Sequence, residues 1–345
     1  ESLVLVSGLP AGAELGIDWY TWTCGPAFSG VRAVPSGVHL LHASAGPAGL
    51  RCGRLFWLDD QPSERVVLRY KWCPAEECLL PYDDADGGSG DPAPAAAALE
   101  ALCAPYPEKT LKRWRDLTSF AWSQRSRLIW LTDRALDSLS DCLFAAPLPP
   151  GHPAGCPASE ITRHRLDRSW ALAELLRHSG RQFTAEDKTF DIIGAAAIAD
   201  NDDDEDSEAL LLAELQLSFV LAVTLHNSAC LDRWLGLLNH LCRVREALLS
   251  KRRLFVNLLR CLLPQLIALS SSGAESSEPA PVGLRALLID LWQNCSIAAK
   301  EDSSGAFGSE IAGPLDAIQA LAGRLWGWRL DCEEDEDAAD VDADA

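Results

Sequence analysis

The amino-terminal third of the chain holds the side chains that could do covalent chemistry. Cys24, with His39 or His42 and with Asp18, offers a nucleophile, a base and a group to orient the base, as a cysteine hydrolase requires. No family-specific catalytic signature surrounds Cys24. We therefore predict no catalytic residues and keep the cysteine hydrolase as an alternative hypothesis.

Two residue pairs have the composition of metal ligands without a suitable arrangement. His39 and His42 lie three apart in a predicted strand, where they point to opposite faces and cannot share an ion. Cys73 and Cys78 are separated by a proline-containing stretch, and no second pair lies nearby. The glycine-rich run at residues 87–90 neither follows a strand nor opens a helix, as a phosphate-binding loop does. We predict no metal ligands, no cofactor-binding residues and no cofactor.

Residues 207–269 organise the rest of the chain, because apolar residues recur there at steps of three and four, the period of amphipathic helices. The first of three such helices is apolar almost all round from 217 to 225, which predicts the most buried helix. Ser228 is the predicted N-cap of the second. These stripes predict a helical domain and comprise Leu211, Leu215, Phe219 and Ala222, then Leu231, Trp234, Leu235, Leu238, Leu241 and Cys242, then Leu254, Leu258, Cys261 and Leu262.

Short runs rich in β-formers, bounded by glycine and proline, precede the helices. They lie at residues 3–6, 14–22, 38–42, 55–58 and 66–72, a spacing typical of a sandwich or partly closed barrel. The sequence therefore predicts a two-domain α+β protein. Its amino-terminal domain is β-sandwich-like, and its carboxy-terminal domain is all-α.

Composition changes along the chain predict the domain limits. We predict a β-rich domain over residues 1–146 with a flexible insert at 83–98 and a helix at 107–121, then a proline-rich linker at 147–158. The helical domain spans 159–330, with an acidic loop at 181–208 and final helices at 284–297 and 314–326, and a disordered acidic tail covers 331–345.

The predicted helix at 107–121 has a basic face. Lys109, Lys112, Arg113 and Arg115 lie there, opposite its apolar residues. This face is either an ordinary solvated surface or a patch for an acidic partner or for RNA.

The net charge of -20 is concentrated in two blocks. Sixteen of the 50 acidic residues fall within 200–208 and 331–344, so 34 acids face 30 bases elsewhere. This balance excludes a dedicated nucleic-acid binder, which needs a dominant basic surface. Several of the 12 cysteines lie inside apolar helical patterns, where a free thiol behaves as a small hydrophobe, so we expect a reducing compartment.

Blocks of residues through most of the chain, in the same order, resemble the Aar-two family of spliceosome assembly factors. The match begins at residues 12–18, at Trp22, Gly25-Pro26, Phe28 and Gly30-Val31, and at 35–42. It resumes at 105–107, at 110–114 with Leu117-Thr118, and at 159–164 with Asp167, Ser169 and Ala171-Leu172. It is strongest at 214–220, Trp234, 237–239 and 241–243. The chain departs from the pattern at 83–98, between 122 and 159, and in the acidic tail.

The resemblance implies a VHS-like helical stack after the β domain and a role that is not enzymatic. It implies binding to the carboxy-terminal region of the large U5 scaffold protein (Prp-eight), which carries RNase H-like and Jab/MPN-like domains, during U5 snRNP biogenesis. It also implies that the Brr-two helicase and RNA are kept off until assembly is complete. From it we expect a monomer in cytoplasm and nucleus, without membrane or sequence-specific nucleic-acid binding. The alternative is a VHS-like adaptor in protein or membrane traffic.

Two segments are the predicted partner-binding sites. The linker offers Pro149, Pro150 and His152 on an extended backbone with few internal hydrogen bonds. The segment after the last helix offers Trp326, Trp328, Arg329 and Leu330, in which the large apolar residues alternate as on one face of a strand. This segment either folds back on its own domain or adds as a strand to a partner sheet. In the second case, deletion of residues 327–345 should weaken scaffold binding without changing the melting temperature.

Overall fold

The computed structural model describes residues 2–60, 65–82, 99–132, 136–138, 204–245, 247–271 and 280–331. By its contacts the chain divides into two compact units. The first combines Glu1–Ala145 with Ala213–Arg233, and the second combines Ala146–Leu212 with Trp234–Ala345. The predicted linker at 147–158 lies outside the described residues, so that boundary stays a prediction.

One sheet of the first unit is mixed. Its strands are β1 (Ser2–Ser7), β4 (Gly30–Val34), β7 (Val67–Cys73), β8 (Cys78–Pro81) and β9 (Ala104–Pro105), in the order β8-β7-β1-β4-β9. β1 pairs in parallel with β7 and antiparallel with β4. In register, Cys73 lies opposite Cys78 in the β7–β8 hairpin.

The second sheet is antiparallel throughout. Its strands are β2 (Glu14–Ile17), β3 (Tyr20–Thr23), β5 (Gly37–Ser44), β6 (Cys52–Leu58) and β10 (Leu136–Asp137), in the order β10-β6-β5-β2-β3. β3 is therefore an edge strand.

The two sheets enclose one hydrophobic core. Side chains from both sheets belong to a single buried cluster, including Val4 and Val6 from β1 and Phe56 from β6. The alternate residues Leu3 and Leu5 point into a second small cluster on the other face of their sheet, as the period of two along a strand requires. This arrangement confirms the predicted β-sandwich-like domain.

Helices follow the strands, first α1 (Glu108–Ser123) and then the short α2 (Arg125–Leu128). Trp114 on α1 is buried and donates from Nε1 to the Val38 carbonyl at 2.7 Å, which fastens the helix to β5. Thr118 has non-helical dihedral angles, so α1 bends at that residue.

The long helix α3 (Asp204–Leu225) is followed by α4 (Ser228–Arg243). α3 is buried on all sides from Leu210 to Ala222, as its apolar sequence predicts. The predicted N-cap of α4 is wrong by one residue, because Asn227 Oδ1, not Ser228, accepts from the Cys230 N–H at 2.7 Å. A side chain that bonds the third helical amide is the usual N-cap geometry.

The second unit continues with α5 (Ala247–Ser250), α6 (Arg252–Ser271), α7 (Leu284–Glu301) and α8 (Ala306–Trp326). The predicted start of the last helix at 314 is wrong, because Asp302 fixes an earlier one. Its carboxylate accepts from the Ser304 and Phe307 backbone amides at 3.0 and 2.8 Å. Pro314 consequently lies inside α8. With these helices after the sheets, the predicted two-part α+β fold is confirmed.

Among the residues that the structure describes, two helical stretches are long and apolar enough to cross a membrane, Glu208–Leu225 and Arg252–Ser270. The first is 83% buried and the second 56% buried. Burial of this kind is typical of core helices in globular units, which explains their composition without a bilayer.

Candidate partner-binding site

Four of the seven predicted partner-binding residues lie together at the end of α8. Trp326 is the last residue of the helix, and Trp328, Arg329 and Leu330 follow it. The other three, Pro149, Pro150 and His152, lie outside the described residues. The structure therefore shows one of the two predicted segments.

Gly327 ends the helix. Its φ of 68° lies in the left-handed region, and its N–H donates to the Gly323 carbonyl at 3.0 Å. This is a standard glycine cap, in which the missing side chain removes the steric cost of positive φ. The strand-like alternation predicted for 326–330 is wrong, since Trp326 is helical and the chain reverses at Gly327.

Gln319 fixes the chain after this reversal. Its Oε1 accepts from the Leu330 N–H at 2.9 Å, and its Nε2 donates to the Trp328 carbonyl at 3.4 Å. Leu330 is fully buried. The segment thus folds back on its own domain, the first of the two alternatives that the sequence left open.

The segment still presents a surface. The rings of Trp326 and Trp328 stack with centroids 4.6 Å apart, and both side chains are half-buried. Arg329 is exposed and forms an ion pair with Asp331 at 3.2 Å. Two stacked aromatic rings beside an exposed arginine are the residue types that dominate binding energy at protein interfaces. Their role in partner binding stays a prediction.

Two of the candidate catalytic residues, Asp18 and His39, belong to a buried hydrogen-bond network of the β domain. Asp18 Oδ2 accepts from His39 Nδ1 at 2.8 Å and from the Tyr106 hydroxyl at 2.6 Å, while its Oδ1 accepts from the Leu40 N–H at 2.9 Å. The remaining ring nitrogen, His39 Nε2, lies 2.9 Å from the Pro35 carbonyl. Both ring nitrogens thus have oxygen partners, and neither is left to act as a base for Cys24.

Cys24 and His42 are unsuited to catalysis for a further reason. Burial raises the pKa of the Cys24 thiol, with a smaller contribution from Glu14, so the reactive thiolate is disfavoured. Burial, followed by the charge of Arg51, lowers the pKa of His42 to about 3 and keeps that ring neutral. Its ring lies where a side chain on Gly16 would be, since a Cβ there would come within 2.1 Å of His42 Cε1. These residues pack the sheet.

No three histidine, cysteine or acidic side chains are grouped as metal ligands within the described part of the chain. Cys73 and Cys78 are cross-strand neighbours, and both are free thiols.

Sequence analysis missed the polar contacts that attach α3 to the β domain. Gln216 is fully buried, and its Oε1 accepts from the Phe120 and Ala121 backbone amides of α1 at 2.9 and 3.3 Å. These amides follow the bend at Thr118, where the helical hydrogen-bond pattern is interrupted. The signal available in the sequence was Gln216 itself, one of the few polar residues in a helix that is apolar almost all round.

A second group of contacts joins the end of α3 to the outer strands. Arg51 Nη1 donates to the Thr224 carbonyl at 2.9 Å, and Ser138 Oγ donates to the Leu225 carbonyl at 2.7 Å. Asn227 Nδ2 donates to the Asp137 carbonyl at 2.8 Å. The carbonyls that a helix leaves unpaired at its carboxyl end are thus partly satisfied by the β domain.

Comparisons with known proteins cover both units. Residues 145–331 match the family model described as the AAR2 C-terminal repeat region, and residues 1–124 match the AAR2 N-terminal domain. The "Protein AAR2 homolog" of Homo sapiens is 26% identical over 318 residues, which cover 76% of this chain and 74% of that protein. The Mus musculus homolog is 27% identical over the same shares of both chains. The Caenorhabditis elegans homolog is 28% identical over 119 residues, 34% of this chain and 32% of that protein.

Proposed function

Because this chain belongs to the AAR2 family, we propose that it is a non-enzymatic assembly factor of the spliceosome. It binds the carboxy-terminal region of the large U5 scaffold protein during U5 snRNP biogenesis and prevents premature binding of the helicase and of RNA. The observation that carries this proposal is the match of both family domains, in order, over most of the chain.

The geometry of the β domain supports a role without catalysis. The residues Cys24, His39 and Asp18 were the candidate triad, but both ring nitrogens of His39 have oxygen partners and the buried Cys24 thiol has a raised pKa. A general base must have a nitrogen free to accept the nucleophile's proton. We therefore propose that the protein acts by binding, as a monomer in the cytoplasm and nucleus, without a cofactor or membrane.

The stacked pair Trp326 and Trp328, with the exposed Arg329, is the proposed contact for the scaffold protein within the described part of the chain. The linker residues Pro149, Pro150 and His152 form the second proposed contact. Aromatic and arginine side chains bury area with little loss of rotamer freedom and carry a large part of interface energy.

The direct test is binding of the recombinant chain to the purified carboxy-terminal region of the scaffold protein. Arg329→Ala should weaken binding by about thirtyfold, since an interface arginine can contribute about 2 kcal/mol. The free energy of unfolding of this variant should not change, because the Arg329 side chain is exposed. Arg285→Ala removes the same charge from an exposed helical position and should leave binding unchanged. Equal affinities for the wild type and Arg329→Ala would exclude this contact.

The contribution of the acidic tail to binding is tested by a truncation that leaves the fold intact. Removal of residues 327–345 would take away the cap at Gly327 and the buried Leu330, so weaker binding would report lost stability. Removal of residues 332–345 alone leaves every described contact of α8 in place. A pull-down from nuclear extract with each form, read by mass spectrometry, tests the proposal as a whole. Recovery of membrane-traffic cargo without spliceosomal proteins would favour the adaptor alternative.

A further inference from the structure

The β domain has an exposed edge that none of the described contacts covers. β3 pairs with β2 on one side only and ends the sheet. The Cys24 N–H donates toward β2, to the Ala13 carbonyl at 2.7 Å. Because hydrogen-bonding direction alternates along an antiparallel strand, Thr21 and Thr23 direct their backbone groups away from β2. Both residues are exposed, so their amides and carbonyls are available to another strand.

An aromatic row follows the same strand. Tyr20 and Trp22 have ring centroids 4.8 Å apart, and Trp22 lies 5.9 Å from Phe28. Trp22 and Phe28 pack against the sandwich core, whereas Tyr20 is 42% exposed. This packing holds β3 in place although only one neighbour pairs with it. The edge therefore offers unpaired backbone groups beside an apolar surface on one face.

The positively charged guanidinium of Arg113 lies close to the start of β3. The guanidinium of Arg113 on α1 lies over the ring of Trp19 at 4.7 Å from its centroid. Its Nε and Nη2 are buried and have no hydrogen-bond acceptor. Burial also lowers the pKa of this guanidinium. Two buried guanidinium nitrogens without an acceptor are costly, and an anion at this place would compensate them.

The surroundings of Arg113 are basic. α1 carries four basic residues against two acidic ones, although the whole chain has a net charge of -20. Lys109 and Arg115 on this helix are exposed, as is Lys112, which pairs with Asp116 at 2.7 Å. The charge therefore selects an acidic ligand at this place.

We propose that the β3 edge surface, formed by Thr21, Thr23, Trp19 and Arg113, docks an extended acidic segment of a partner protein. The segment adds to the sheet beside β3, with backbone bonds to Thr21 and Thr23, and places a carboxylate on Arg113. Trp19 directly precedes β3, so a strand that runs along this edge continues past the stacked guanidinium. Main-chain pairing supplies affinity and the arginine supplies specificity.

A protein segment fits these features better than RNA does. Thr21 and Thr23 offer alternating backbone donors and acceptors, which match another peptide and not a sugar–phosphate chain. The negative charge of the whole chain also opposes a polyanion longer than the small basic patch. This surface belongs to the first unit and shares no residue with the proposed contacts at the end of α8 and in the linker, so it goes beyond the proposed function. The proposal for the β3 edge surface does not depend on the scaffold protein being the partner.

Labelled peptides test the proposal with the full chain. A fluorescent hexapeptide of alternating glutamate and valine should bind with a saturable anisotropy change, and the same peptide with lysine in place of glutamate should not. Arg113→Ala should weaken binding by about tenfold, as loss of a charge-assisted hydrogen bond predicts. Arg285→Ala, with the same change of charge outside the surface, should not affect it.

The strand edge needs its own variant. Thr21→Pro removes an outward amide, and Thr21→Val keeps it, so only the proline variant should weaken peptide binding. If the proline variant fails to fold, hydrogen exchange on the wild type replaces it, and the Thr21 and Thr23 amides should gain protection with peptide. Absence of binding, or binding unaffected by Arg113→Ala, would refute the proposal. A single-stranded oligouridylate that binds more tightly than the acidic peptide would instead identify a nucleic-acid site.

Discussion

Substitution of Trp234 by alanine tests the packing of the helical unit. Trp234 is fully buried, and its Nε1 donates to Gln265 Oε1 at 2.9 Å, where Gln265 is itself fully buried. A tryptophan buries roughly 200 Å² of side chain, which at about 25 cal/mol per Å² corresponds to about 5 kcal/mol. Large aromatic truncations measured in cores cost about 3–5 kcal/mol. We therefore expect Trp234→Ala to lower the free energy of unfolding by about 3–5 kcal/mol.

Two further variants separate the contributions. Trp234→Phe keeps most of the ring and removes the N–H, so it should cost less than the alanine variant, the hydrogen bond accounting for about 1 kcal/mol. Val282→Ala, at a side chain that is 96% exposed, should change stability by less than about 0.5 kcal/mol. Urea unfolding followed by circular dichroism measures all three. Trp234→Ala within error of Val282→Ala would show that Trp234 is not a core residue and would refute the packing argument.

Two other predictions concern buried polar groups of the first unit. Gln216→Leu leaves the buried Ala121 amide without its side-chain acceptor and should lower the free energy of unfolding by about 1–3 kcal/mol. The control Gln293→Leu, at a half-buried site of α7, should lower it less. Equal losses for the two variants in urea titrations would contradict this role of Gln216. The pKa of His42 is lowered to about 3 in the folded state, whereas an unfolded histidine has its ordinary value near 6.5. The unfolded state therefore binds more protons between these pH values, so the free energy of unfolding should decrease as the pH is lowered from about 6.5 towards about 3. From about pH 7.5 to about pH 5 this loss is about 2 kcal/mol at 1.36 kcal/mol per unit, and His42→Gln should flatten it; an unchanged pH profile would show that His42 already ionises in the folded protein.

The local elements were predictable because each leaves a signal in its own stretch of sequence. Apolar runs rich in β-formers, bounded by glycine and proline, identified β1 and β5, and steps of three and four identified α4 with Trp234 in its buried stripe. These signals depend only on neighbours along the chain and on which face meets the core. The family resemblance added the order of the two parts, which the structure confirms as sheets followed by helices.

Contacts between distant residues were not predictable in this way. Gln216 bonds amides 95 and 96 positions earlier, and Asn227 bonds a carbonyl 90 positions earlier. Periodicity carries no information about such pairs. The reversal at Gly327 was missed for a similar reason, since the position of Leu330 depends on Gln319, 11 residues before it. Alternating large residues in a short segment fit a strand and a folded-back cap equally well.

The buried polar residues of α3 explain how a helix that is apolar on every side adopts one orientation. Apolar packing alone allows such a helix to rotate about its axis at little cost, because hydrophobic contacts are not directional. Gln216 removes this freedom, since rotation would leave its amide and the α1 backbone amides buried without partners. Glu214, also buried, adds a second constraint through its 2.9 Å ion pair with Arg233 on α4. Hydrophobic burial therefore supplies the stability of this helix, and two polar side chains determine which of its faces meets α1 and which meets α4.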